Sequence, residues 1–347
     1  MKKTILIAYL LLVAAITINA QQTDFPYRKL SGLTGPYFGQ KPPGMIPEIF
    51  APGIVSTMYH EHSAPSFSPS GKEVFWLSYP QGNYIYRYPK RILYSKEENG
   101  CWSIPEFPSF AIGLECSEAF FSYDGEKAFF SAAKRITIDG EDIIDNDIWI
   151  TEKTSSDWLD PVNIGDPISS NNFEYQPTVT EDLTLYYMGY LEGVKNNYGI
   201  FRSKFLDGKY MKPEALPAPI NSEAVDWTPF IARDESYLLW SSTREGGYGN
   251  GDIYVSFKDE NNNWTAAINL GSNINEKFNE RYPSISPDGK YLFFVSDKIN
   301  ERLEEETDLT FQETLNIYNN PGNGWSDVYW VDAKIIEELK KTELQGN

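Results

Sequence analysis

The side chains best able to bind a metal or a polar ligand recur at one position of a repeated sequence pattern. They stand three positions before the successive anchors of that pattern: His62, Cys116, Glu174, Asp226 and Glu280. Carboxylate and imidazole groups bind divalent cations and cationic groups. If the repeats close into a ring, His62, Glu174, Asp226 and Glu280 surround its central channel and predict a ligand site at the channel mouth. Hydrogen bonding between neighbouring repeats is the alternative use of these side chains.

The chain has two histidines, His60 and His62. Side chains alternate along an extended segment, so both imidazoles lie on the same face. The pair is able to chelate a metal, but two ligands without a third do not define a site. A surface or channel-mouth role without metal is the alternative. We therefore predict no resident cofactor and keep a divalent cation in the channel as an open alternative.

The sequence lacks the motifs of the common catalytic sites. It contains no Gly-x-Ser-x-Gly elbow, Walker loop, dinucleotide fingerprint, His-Glu-x-x-His helix or Cys-x-x-Cys pair. Two histidines leave little for a Ser-His-Asp triad. Paired acids for glycoside cleavage stay open, because their separation in space decides that chemistry. We therefore expect a protein that is not an enzyme, with an acid-based hydrolase or lyase as the alternative.

The elements that position these residues belong to an internal repeat. Each copy has a short apolar strand, a turn resembling Pro-x-Asp-Gly, an aromatic strand, a variable loop, a third strand, an aromatic turn and a fourth strand. The first two strands of each copy read as a hairpin. The five anchors are spaced by 54, 58, 52 and 54 residues: Pro65, Ala119, Pro177, Pro229 and Pro283.

Four antiparallel strands per copy predict an all-β fold, a β-propeller of about five blades. The fifth copy stops after its third strand, at Tyr329–Asp332, while residues 47–56 resemble a lone fourth strand. We expect this N-terminal strand to pair with the last blade, which would leave no exposed sheet edge.

The motifs Phe67–Gly71, Ile285–Gly289 and Gly251–Tyr254 resemble the TolB-like, WD-like β-propeller repeat family. The resemblance covers roughly residues 46–332. It implies the architecture and leaves the function open, because this fold hosts many roles. Members of the family often have six blades, so six remains possible here, although residues 22–45 are too few to form a further one.

The remaining boundaries follow from the two ends. Lys2 and Lys3 precede an apolar run that is too short to span a bilayer, so residues 1–20 predict a signal peptide, with an uncleaved anchor as the alternative. Residues 21–45 are an N-terminal extension, 46–332 the propeller and 333–347 a C-terminal helix and tail. We expect a periplasmic or secreted monomer without a transmembrane helix after cleavage.

Charge restricts the partners. The chain has 49 acidic and 30 basic residues, a net charge of −19. Such a surface repels nucleic acid and anionic membranes and favours cations, basic partners or neutral ligands. Solubility alone is the alternative explanation.

One face of the predicted ring carries the variable loops that join strands two and three, at residues 79–90, 132–146, 189–197, 243–251 and 297–326. Binding commonly resides on variable loops held by a rigid scaffold. The aromatic candidates on or beside these loops are Tyr84, Tyr86, Tyr198 and Tyr248. Their rings are suited to stack on sugars or pack on peptide side chains, with packing among the loops as the alternative. We therefore predict a binding or scaffold propeller that recognises a protein, peptide or cell-envelope glycan on this face.

Two further sets of residues read as structural. Cys101 and Cys116 begin strands at opposite faces, too far apart for a disulfide, and predict two free, buried thiols. Asp147, Asp252 and Asp327 precede the third strands, and we expect them to pair with Lys134, Arg244 and Lys298 across the loop base.

Overall fold

A computed structural model describes residues 33–79, 90–138, 141–170, 172–192, 198–305 and 308–345. In these residues five four-stranded antiparallel sheets form a five-bladed β-propeller. The prediction of an all-β propeller is therefore confirmed, with five blades. The predicted signal peptide lies outside the described residues, and so do Tyr84 and Tyr86.

The first short strand, β1 (Glu48–Ile49), belongs to the last blade. Blade 1 contains β2 (His60–Phe67), β3 (Glu73–Tyr79), β4 (Ile92–Glu98) and β5 (Cys101–Trp102). Blade 2 contains β6 (Cys116–Phe121), β7 (Lys127–Ile138), β8 (Glu141–Glu152) and β9 (Val162–Asn163). Blade 3 contains β10 (Glu174–Val179), β11 (Leu185–Tyr190), β12 (Tyr198–Ser203) and, after the small hairpin β13 (Phe205–Leu206) and β14 (Lys209–Tyr210), β15 (Glu214–Ala215). Blade 4 contains β16 (Asp226–Ile231), β17 (Tyr237–Ser242), β18 (Asp252–Phe257) and β19 (Ile268–Asn269). Blade 5 contains β20 (Arg281–Ile285), β21 (Tyr291–Ser296) and β22 (Asp327–Asp332).

The second strand of each blade is apolar on both faces because blades lie against it from both sides. Trp76 in β3 and Trp240 in β17 are fully buried, as is Trp330 in the third strand β22. The turn before each second strand is built from short polar side chains. In blade 5, for example, Ser286 donates from Oγ to Asp288 Oδ1 (2.7 Å) and Gly289 has φ +73°, a conformation open to glycine.

The ring closes through the N-terminal strand, as predicted. In the antiparallel pairing of β1 with β22, Glu48 lies opposite Trp330 and Ile49 opposite Tyr329. The next residue, Phe50, donates its N–H to Val328 O (2.8 Å) and is completely buried. The last blade thus gains its fourth strand from the other end of the chain, and its outer edge is covered.

Hydrogen bonds also join each blade to the next near the central axis. They connect Phe121 N to Ser66 Oγ (3.1 Å), Gln176 N to Ser131 Oγ (3.1 Å), Ile231 N to Thr178 Oγ1 (3.4 Å), Tyr282 N to Thr228 Oγ1 (3.2 Å) and Ser284 Oγ to Pro65 O (3.1 Å). Small hydroxyl residues, four on first strands and Ser131 on a second strand, therefore connect all five blades in a closed circle.

A β-bulge interrupts every innermost strand just before the anchor. In four blades the bulge residue has a positive φ of 51–55°: Glu118, Gln176, Thr228 and Tyr282. Bulges redirect side chains and are common near functional sites. These residues therefore occupy equivalent places on four of the five inner strands.

One predicted loop is largely strand, and another contains the helical structure that its sequence pattern predicts. Much of 132–146 is strand, because β7 and β8 continue as a long hairpin whose segment Ile136–Ile138 has strong β propensity. The loop 297–326 contains α1 (Glu301–Glu305) and α2 (Phe311–Tyr318), and α2 starts with a capping box between Thr310 and Glu313. After β22 the chain forms α3 (Lys334–Gln345). None of the helices in the described ranges is long and apolar enough to cross a membrane.

Candidate ligand-binding site at the channel mouth

Three of the four predicted channel-mouth residues serve the scaffold. Glu174, Asp226 and Glu280 are buried where the inner strands begin. Each carboxylate accepts a hydrogen bond from the residue four positions earlier: Ser170 Oγ to Glu174 (2.5 Å), Ser222 Oγ to Asp226 (2.7 Å) and Glu276 N to Glu280 (3.0 Å). These acids therefore fix the loop that leads into their own strand, which differs from the blade-to-blade bonding we considered.

In blade 1 this position is occupied by Glu61 and not by His62. Glu61 lies opposite Ser78, as Glu174 lies opposite Gly189, and it accepts from Thr57 Oγ1 and Ser78 Oγ (both 2.9 Å). A second bulge, found in blade 1 between Glu61 and Ser63, shifts the register by one residue. Counting back from the anchor could not reveal this bulge, so placing His62 in the ring of acids was wrong.

His62 instead forms the centre of a polar cluster at the channel mouth. Its Nε2 atom lies 2.9 Å from Tyr282 Oη and 3.5 Å from Lys90 Nζ. Its Nδ1 atom lies 3.1 Å from His60 Nε2 and 3.5 Å from Tyr79 Oη. Both ring nitrogens are thus engaged by residues of blades 1 and 5. We call His60, His62, Tyr79, Lys90 and Tyr282 the mouth cluster.

The ammonium group of Lys90 only donates, so its contact favours the tautomer in which His62 Nε2 accepts and Nδ1–H donates to His60 Nε2. Burial, followed by the nearby Arg281 and Lys90 cations, lowers the pKa of His60 to about 3, and burial likewise holds the pKa of His62 well below its usual value. Both imidazoles are therefore neutral at physiological pH and present hydrogen-bonding groups without charge.

Aromatic rings extend from the cluster toward blade 3. The His62 ring lies 5.1 Å from that of Tyr282. Tyr175 is an electrostatic neighbour of Tyr282, and Phe173 lies 5.6 Å from Tyr175 and 5.1 Å from the predicted Tyr198. We call Phe173, Tyr175 and Tyr198, with Tyr190 beside them, the blade 3 aromatic patch. Tyr190 and Tyr198 are exposed. The cluster and the patch are thus electrostatic neighbours, and we refer to the two together as the track.

The other predicted loop aromatic, Tyr248, is 52 % exposed and has no ring contact with the track. The prediction missed Tyr282, although a sequence signal existed. Tyr282 immediately precedes its anchor, at the same bulge position as Glu118 and Gln176 in blades 2 and 3. Glu118 is itself buried, lies electrostatically close to Tyr79 and Tyr282, and has no hydrogen-bond partner at Oε2 in the described part of the chain.

The described residues contain no group of three or more histidine, cysteine, aspartate or glutamate side chains arranged to hold a metal ion. Lys90 and Arg281 also flank the two histidines, and their positive charge opposes a cation there. A divalent cation in the channel therefore stays a prediction without a defined ligand set.

A second group of acids lies at the ring seam, the junction between blade 5 and blade 1. Glu61 N donates to Ser326 O (2.9 Å), and the neighbouring Asp327 accepts at Oδ2 from Gly322 N (2.6 Å). Both carboxyl groups are buried. Burial, and then the charge of Asp327, raises the pKa of Glu61 well above its usual value, and burial raises the pKa of Asp327 to about 7. The folded seam is therefore most stable when at least one of these two acids is protonated.

The expected ion pairs of the third-strand aspartates do not form in the described residues. Arg244 binds Asp226 (2.7 Å) and Lys298 binds Glu276 (2.5 Å), while Asp252 accepts from Tyr248 N (2.7 Å) and other loop groups. Backbone N–H groups of the preceding loop donate to Asp252 and Asp327 in place of a lysine or arginine. The side chain of Lys134 lies outside the described set.

Both cysteines are free, as predicted, but only Cys116 is buried. Cys101 is exposed at the start of the short outer strand β5. Burial raises the pKa of the Cys116 thiol to about 11.

Neither a protein-family model nor a curated protein matches the chain. Solved structures with a similar fold include TolB from Acinetobacter baumannii (12 % identity, TM-score 0.40, 79 % of this chain and 57 % of that one). They also include an α-L-arabinofuranosidase from Lactobacillus brevis (14 %, 0.46, 79 % and 90 %) and the GH32 β-fructofuranosidase BmSUC1 from Bombyx mori (13 %, 0.46, 79 % and 61 %). The chain thus spans little more than half of the TolB chain. Likenesses of this size carry no argument about what the present chain binds, and its TolB-like family stays a prediction.

Proposed function

We propose that this protein is an exported, non-catalytic binding propeller that recognises a cell-envelope glycan across the track on its loop face. The observation that carries the proposal is that the charged and the neutral polar residues at the mouth have different roles. The predicted acids Glu174, Asp226 and Glu280 are used by the scaffold, whereas neutral imidazoles and tyrosines line the mouth.

The chemistry of the track suits a sugar chain better than a charged ligand. Tyrosine rings offer apolar faces for the C–H faces of sugars and hydroxyl groups for their oxygens. Tyr190 and Tyr198 are exposed, whereas His60 and Tyr282 of the mouth cluster are buried and hydrogen-bonded to His62. A sugar chain would therefore stack on the exposed tyrosines, beside a mouth whose neutral histidines add no charge.

Binding is tested with a panel of cell-envelope and plant polysaccharides, using calorimetry and Tyr198→Ala. Loss of one stacking ring should weaken binding about tenfold, which corresponds to ~1.4 kcal/mol. Tyr248→Ala is the matched control, because Tyr248 is an exposed tyrosine of the same face without ring contact to the track. No heat with any polysaccharide, or equal losses in both variants, would contradict the proposal.

The alternative is a carbohydrate-active hydrolase or lyase. The acid that favours it is Glu118, with its unpartnered buried oxygen beside the mouth tyrosines. The same polysaccharides, incubated with the protein and analysed for shorter products, separate the two functions. Product formation that disappears in Glu118→Gln would replace the binding proposal by the enzymatic one.

A further inference from the structure

A buried asparagine organises a second surface on the loop face, where the insertion of blade 5 meets the start of blade 1. Asn323 donates from Nδ2 to Met58 O (3.1 Å) and to Tyr318 O (3.2 Å), and its Oδ1 accepts from Trp325 N (2.9 Å). One side chain, 8 % exposed, thus joins the backbones of two nearby residues, Tyr318 and Trp325, to that of Met58, which is distant in sequence.

These three residues expose large side chains. Met58 is 38 %, Tyr318 52 % and Trp325 45 % exposed. Tryptophan, tyrosine and methionine are enriched in protein interfaces, where single aromatic anchors often carry much of the binding energy. Trp325 is the one tryptophan among the exposed large apolar side chains of the described residues. We call Met58, Tyr318 and Trp325 the insertion patch.

The surroundings of the patch are acidic. Residues 297–326 contain seven acidic and two basic residues, a net charge of −5. Both basic residues are paired, Lys298 with Glu276 (2.5 Å) and Arg302 with Glu313 (3.1 Å). Two of the acids are paired with cations from outside the insertion, Asp297 with Arg281 (3.3 Å) and Glu304 with Lys277 (2.7 Å), so the remaining acids carry the negative charge. The insertion therefore presents apolar anchors within a negative field. A second copy of this acidic chain would be repelled by it, and a cationic partner attracted.

We propose that the insertion patch docks a basic protein segment, in which lysine or arginine residues flank an apolar side chain that packs on Trp325. This surface is separate from the glycan track, because none of its three residues belongs to the mouth cluster or the blade 3 aromatic patch. It does not depend on the proposed function.

The experiment uses the full-length mature protein and two fluorescent probe peptides, one alternating lysine with leucine and one with glutamate in place of lysine. Fluorescence anisotropy at low salt should show binding of the lysine peptide alone, weakened by added salt. Trp325→Ala should reduce the affinity at least tenfold, while Tyr248→Ala, an equally exposed control, leaves it unchanged.

Other outcomes overturn the proposal: equal binding of both peptides, no binding at low salt, equal effects of the two variants, or dimer formation through the patch in sedimentation. Asn323→Ala should lower the affinity for the lysine peptide because the patch loses its backbone contacts. If this variant does not fold, Trp325→Ala alone tests the patch. The glycan assay distinguishes the two surfaces, because Trp325→Ala should retain polysaccharide binding and Tyr198→Ala should retain peptide binding.

Discussion

Two junctions of the ring place an acid at the same position of the inner strand but surround it differently. Between blades 3 and 4, Asp226 is bound by Arg244 and by Trp240 Nε1 (3.0 Å). At the ring seam the equivalent Glu61 meets a second acid, Asp327. One junction therefore contains a balanced charge pair and the other a pair of like charges. We expect the first to contribute stability at neutral pH and the second to make stability depend on pH.

The largest effect is expected from breaking the balanced junction. Arg244→Met leaves the carboxylate of Asp226, only 1 % exposed, without its cation. Removing one partner of a buried pair costs about 3 kcal/mol or more in the free energy of unfolding. Urea denaturation at neutral pH measures the loss. The control is Arg302→Met, whose exposed pair with Glu313 should be worth less than about 1 kcal/mol. Similar losses in both variants would remove the distinction between the junctions.

The second largest effect is a gain in the free energy of unfolding when one acid of the ring seam is replaced. The pKa of Asp327 is raised in the folded protein. Its contribution to the free energy of unfolding is therefore fully present below the pKa that the carboxyl has in the unfolded chain, and it is lost as pH rises through about 7. Asp327→Asn removes this titration. The variant should exceed the parent by about 2 kcal/mol at about pH 9, and this advantage should shrink as pH falls below about 7 and disappear near about pH 4, the pKa of an unfolded aspartate. Denaturation across this pH range checks the sign, and an advantage that does not vary with pH would refute the explanation.

A smaller gain is expected between blades 4 and 5. Burial raises the pKa of Glu280 to about 7, with the charge of Asp252 adding to it. Asp252 is better compensated than Asp327, because Tyr248 N, Gly249 N and Asn269 Nδ2 all donate to it. Glu280→Gln should therefore gain about 1 kcal/mol above neutral pH. A larger gain than that of Asp327→Asn would reverse the order of the two junctions.

The smallest effect is expected between blades 1 and 2, where Cys116 takes the place of the acid. Its thiol is buried and neutral at ordinary pH. Cys116→Ser should cost about 1 kcal/mol for burying a hydroxyl, by the same amount at each pH up to about 9. A loss of stability that varies with pH below about 9 would show that a group other than the Cys116 thiol titrates at this junction.

The sequence predicted the architecture because its repeat contains local signals: prolines before turns, Asp-Gly pairs and aromatic strands. Closure by the N-terminal strand followed from the missing fourth strand of the last blade. The site was predicted only in part. Counting residues could not detect the extra bulge that exchanges Glu61 and His62, and charge alone could not show that Glu174 binds Ser170. Such outcomes depend on three-dimensional register, which a single residue is enough to shift.

The short strand that completes the last blade also determines the order in which the molecule assembles. Ile49 is synthesised early and Tyr329 near the end, yet the two lie opposite each other in one sheet. The strand β1 has no partner until β22, the third strand of the last blade, has been synthesised. Contacts between such distant positions form slowly, because a long chain has to be brought together for a few bonds. We therefore expect closure of the ring to be the slowest step of folding.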